Sequence, residues 1–126
     1  MAKLPKIKTI RTKCDNLLTP ITIAKHPQCF LRGAKNCAGV SQVGHHHIRK
    51  SNSSNLRYDL DNLIPLCTPC HMALHQNETR WTPRLIQIKG TEWHEELVRK
   101  GQVMVKTDVH FYIKHYERLK EIYETN

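Results

Sequence analysis

Residues 62–75 read NLIPLCTPCHMALH, and the fold turns on this stretch. Leu63-Ile64-Pro65-Leu66 is an apolar run of strand length. Its Pro65 suits an edge strand, where a missing N–H leaves no ladder bond unmade. Thr68 is a good N-cap, and Pro69 fits the first helical position. A helix is therefore expected over 69–76. On it His71 and His75 stand four apart and share a face. Cys67 and Cys70 form a C-x2-C knuckle at the junction. Two thiolates at that spacing grip one metal ion from a tight turn, and a helix start favours their negative charge.

Upstream, Cys29 and Cys37 form a second, wider pair with Gly33 between them. A turn at Gly33 brings the two pairs into one four-thiolate tetrahedron, a structural zinc site that staples 29 to 70. So small an apolar core gains from a staple. The competing reading is four unlinked buried thiols. Cys14 is left over and reads as an idle thiol; an odd count of five argues against a disulfide framework. Gly33, Gly39 and Gly44 interrupt the approach to His45-His46-His47, so turns and short strands are expected there. SNSSN at 51–55 is a polar loop.

Downstream, TEWHEELVRKG at 91–101 has a Thr91 cap, early acids, late bases and Gly101 as a stop. Val109, Tyr112, Ile113, Tyr116, Leu119 and Tyr123 recur at helical spacing behind a Thr107 or Asp108 cap. That helix packs on the core or forms a dimer contact. Residues 1–13 hold Lys3, Lys6, Lys8, Arg11 and Lys13 with no acid. They read as a basic arm, frayed or following a phosphate backbone. Three regions are expected: the arm at 1–25, a zinc-bound core at 26–77, and a helical extension at 78–126.

The 126 residues carry a formal charge of +9 before any of nine histidines protonates. Such a surplus points to a polyanion, nucleic acid before an anionic membrane surface. No apolar run nears the roughly 20 residues of a membrane span. The first residues lack the apolar stretch of a signal peptide, so a cytoplasmic chain with reduced cysteines is expected.

Taken in order, His46-His47-Ile48, then Asn62, the Cys67–Cys70 knuckle, His71 and His75 resemble the HNH endonuclease family. Leu56-Arg57-Tyr58-Asp59 and the C-terminal helix resemble, within it, the phage recombination nucleases of NinG/Rap type. The resemblance implies a ββα-metal (His-Me finger) core in an α+β fold. It implies phosphodiester hydrolysis in DNA, with a divalent cation (Mg²⁺, Mn²⁺, Ni²⁺ or Zn²⁺) and the structural zinc. By its pattern His47 is the general base and Asn62 holds the base loop. His46 and His71 bind the cation, with His75 as third ligand. It also implies a phage or prophage source, hence the host cytoplasm, and other phage DNA-processing proteins as partners.

Histidine suits the base role because its ordinary pKa lies near neutrality, and a cation relieves charge at phosphorus and the leaving oxygen. Arg49, Lys50 and Arg57 flank the site as phosphate contacts or as a solvated basic loop. His45 is a spare neighbour, a metal ligand or a DNA contact. His26, His94, His110 and His115 read as surface residues, and Trp81 and Trp93 as packing. One active site cuts one strand, so cutting both takes a homodimer or two visits. The alternative function is a non-catalytic, zinc-stabilised DNA-binding module; a metal-storage protein leaves the charge and Asn62 without a role.

Overall fold

The computed structural model describes residues 3–50 and 53–125; Ser51 and Asn52 of the expected polar loop lie outside them. Helix α1 (Ile7–Lys25) leads into a looped segment and strand β1 (Val43–His46). Two 3-10 turns, Ser54–Leu56 and Leu60–Asn62, connect it to β2 (Leu63–Leu66). Helices α2 (Thr68–Gln76), α3 (Glu78–Lys89), α4 (Thr91–Gly101) and α5 (Val109–Thr125) follow. The result is an α+β fold in which β1, β2 and α2 form a ββα unit.

The two strands pair antiparallel, Val43 with Leu66 and His46 with Leu63. Side chains alternate across a strand, and directly opposed residues share a face. Val43, His45, Ile64 and Leu66 therefore face α2. Gly44, His46, Leu63 and Pro65 face α1. Each face closes a core. The first joins Ile10, Cys14, Leu18 and Ile21 of α1 to Tyr58, Leu63, Tyr112 and Leu119. The second gathers Cys29, Leu31, Ile64, Leu66, Leu74 and Leu85, with Trp81 and Trp93 packed against it. At Gly44 the sheet meets α1 so closely that a Cβ would lie 2.9 Å from Thr22 Oγ1.

The arm expected at 1–25 is, from Ile7 onward, helix α1 packed on α5. Ile10, Cys14, Leu18 and Ile21 fall at helical spacing and are buried, each large one contributing ~1.5–3 kcal/mol. Arg11 and Lys13, set among its first residues, hide this stripe. The Cys14 thiol donates to the Tyr112 carbonyl at 3.4 Å, and burial raises it to about 11, fitting a packing residue. Among the described residues no helix is long and apolar enough to cross a membrane.

Three local details depart from expectation. Cys67, not Thr68, caps α2: its sulfur accepts the Cys70 N–H at 3.4 Å. Helix α3 was not foreseen; Asn77 caps it and Pro83 lies inside it. Gly90, not Thr91, is the N-cap of α4, with no side chain bonded there, and Gly101 is the last helical residue rather than the stop; at φ 107 Gly90 turns the chain sharply from α3 into α4, a conformation open to glycine and strained for other residues. Asp108 caps α5 by accepting from the Phe111 N–H at 3.0 Å.

Arg57, expected on a phosphate, instead forms a two-pronged pair with Asp15 of α1, at 3.0 and 2.6 Å. The Tyr58 hydroxyl donates to the same carboxylate at 3.0 Å. Asp15→Ala would leave a half-buried guanidinium and a buried hydroxyl without their acceptor. It is expected to cost ~2–4 kcal/mol, read as a lower melting temperature. A melt within a degree of wild type would show that water replaces the carboxylate.

Candidate functional site

Cys29, Cys37, Cys67 and Cys70 converge, their sulfurs all within 4.8 Å of one another. Four thiolates at about 2.3 Å from one zinc need sulfurs close to this spacing, so the donor set fits a structural zinc. Burial raises the Cys67 thiol, but backbone N–H groups of Ala38 and Cys70 more than offset it, lowering it to about 7. Cys70 is followed directly by His71, so whatever fixes the cysteines also fixes the start of α2.

A second convergence brings together His45, His71 and His75, with ligand atoms within 4.8 Å of one another. The Nε2 atoms of His71 and His75 lie 2.9 Å apart, one helical turn along α2. His45 reaches them from β1, its ring centroid 5.2 Å from that of His71. Burial, with the neighbouring His71 and His75 rings, holds His45 down to about 3. Burial and then His75 and His46 also lower His71. Neutral imidazoles with free lone pairs are what a divalent cation needs. The trio lines an open cavity of about 610 Å³, together with His46, Arg49 and Glu78.

His46, expected among the cation ligands, does not join them. It sits on the opposite face of β1, and its Nε2 lies 2.9 Å from the Arg57 carbonyl oxygen. Strand alternation is the reason: His45 shares the α2 face, and its neighbour cannot. His45, and not the His46 that the family resemblance implied, is the histidine of this run that meets His71 and His75. Burial lowers His46 as well.

His47, expected as the base, is wedged under α4. Its Nε2 lies 2.7 Å from His94 Nδ1, and its ring lies 4.4 Å from that of Trp93, centroid to centroid. Its Nδ1 is buried without a hydrogen-bond partner among the described residues. Burial, then His94, lowers it to about 4.

Asn62 is fully buried and ties the loop together. Its Oδ1 accepts from the Ile48 N–H at 2.7 Å, and its Nδ2 donates to the Ile48 and Leu56 carbonyls. The Asn62 carbonyl accepts the His47 N–H at 2.9 Å. Arg49 reaches across the cavity mouth to Glu78 at 2.5 Å, and Lys50 is exposed on the same rim. Glu78 also lies 4.0 Å from His75 Nδ1. Sequence reasoning missed Glu78 and His94. Glu78 follows His75 by three on a helical path, a signal that was present; His94 carried none.

A family model described as HNH endonuclease matches residues 28–77, the stretch that holds both convergences. No curated protein and no solved structure matches the chain.

Proposed function

We propose that this chain, which carries an HNH domain over residues 28–77, is a metal-dependent endonuclease hydrolysing DNA phosphodiesters. One divalent cation would sit on His45, His71 and His75, and zinc on the four cysteines. The meeting of three imidazoles from a strand and a helix carries this reading. Imidazole donors suit zinc, nickel or manganese; magnesium would lean on phosphate and water oxygens. When bound, the cation relieves charge on the phosphate and the leaving oxygen.

The chain's own residues supply the rest. A carbonyl only accepts, so His46 Nε2 carries the hydrogen given to Arg57, and the lone pair is left on Nδ1. Burial keeps that ring neutral, so Nδ1 can take a proton from water. His47 has one nitrogen engaged and the other buried, which supports moving the base role from His47 to His46. Asn62 holds the loop that carries both. Arg49 and Lys50 would meet the phosphates. The Arg49–Glu78 pair is exposed and screened by solvent, so it yields readily to a phosphate. DNA contact of this kind weakens as salt rises.

The test is nicking of supercoiled and branched DNA by wild type and His71→Ala, with each of Mg²⁺, Mn²⁺, Ni²⁺ and Zn²⁺ and with EDTA. The branched arm follows from the likeness of 56–59 to phage recombination nucleases. Wild type is expected to nick with at least one cation and not in EDTA, and His71→Ala to lose nicking. DNA binding without cutting under any cation would favour the non-catalytic module.

A further inference from the structure

We propose that Trp93 and His94 of α4 are positioning residues that clamp the His46 loop, so that the site is completed by helices beyond the HNH stretch. This rests on the hydrolytic reading above. The observation is a pair of contacts on the two ends of one tied loop. The Trp93 indole N–H donates to the Asp61 carbonyl at 2.9 Å, one residue before Asn62. His94 Nδ1 meets His47 Nε2 at 2.7 Å, one residue after His46. The Trp93 ring also covers the His47 ring. Between these ends, Asn62 bridges Ile48 through its side chain and His47 through its carbonyl. Neighbouring residues on α4 thus grip both strands of the same tie.

His47 shows that the grip is costly. Its Nδ1 is buried with no hydrogen-bond partner among the described residues, and a buried polar group left unpaired destabilises the fold. A histidine at the cavity rim avoids that cost by turning to water. Here the indole face and His94 hold it inward. His46 is bonded to His47, so fixing the His47 ring and backbone fixes where His46 Nδ1 points. Orientation of this kind acts on the chemical step and leaves binding alone. Gly90 serves the same arrangement, since its turn is what folds α4 back over the loop.

The variants are His94→Ala, His94→Asn and Trp93→Phe in the full chain. Asparagine restores a short polar group near the place of Nδ1, and phenylalanine keeps the ring while removing the N–H. Single-turnover nicking, DNA affinity, cation affinity, melting and amide exchange at Ile48 are read together. His94→Ala is expected to slow nicking about tenfold with DNA and cation affinities unchanged, and to speed Ile48 exchange. His94→Asn should recover part of the rate, and Trp93→Phe should speed Ile48 exchange. Nicking at the wild-type rate in both His94→Ala and Trp93→Phe would overturn the proposal. So would a rate loss matched by an equal loss of cation or DNA affinity. If wild type itself does not nick, the nuclease reading fails, and Ile48 exchange alone decides the clamp: faster in His94→Ala upholds it, unchanged overturns it.

Discussion

Replacing Cys67 with serine is expected to release the zinc and unfold the protein. Cys67 is fully buried, caps α2 and belongs to the second core. Zinc on four thiolates contributes ~10–16 kcal/mol of apparent folding energy in small domains. Whole domains are stable by only ~5–15 kcal/mol. A hydroxyl in place of one thiolate removes most of that zinc affinity and leaves three thiols, Cys29 and Cys70 among them buried, crowding one another. Zinc content after dialysis and a thermal melt measure the two consequences. Wild-type zinc content together with a wild-type melt would show that the four cysteines are packing residues.

Activity should discriminate sharply between two adjacent histidines. His46→Ala is expected to fold, bind DNA and bind the cation, yet lose ~10²–10⁴-fold in single-turnover nicking, the usual worth of a general base. His47→Ala removes a ring that only steadies its neighbour and is expected to lose about tenfold. The opposite ranking would return the base to His47, where the family resemblance puts it. His45→Gln beside the pair completes the comparison, since it should lower cation affinity where His46→Ala does not.

That ambiguity of one residue shows where sequence reading reaches its end. The Cys67–Cys70 knuckle, the β2 run, the histidine pair on α2 and the Asp108 cap of α5 are local signals, and they were legible. A run of three histidines contains two adjacent pairs, and which pair serves depends on strand register. Register is set by Val43 and Leu66 facing the second core, which spacing alone does not reveal. Arg57 was misread for a different reason. Its partner Asp15 lies 42 residues away, on a helix that Lys8, Arg11 and Lys13 had disguised as part of an arm. His94 looked like any surface histidine because its partner arrives only through the turn at Gly90.

The ribbon of β1 and β2 is two strands wide and is covered on both sides, by α1 on one and α2 on the other. A two-stranded hairpin is marginal in water by itself. The matched stretch 28–77 is therefore not a portable unit. Cut out at those limits, it would lose the α1 and α5 residues that close the first core, and leave Tyr58 and Leu63 bare. It would also lose the carboxylate that holds Arg57, whose own carbonyl orients His46. Anyone grafting this stretch onto another protein would need to carry the helices on either side with it.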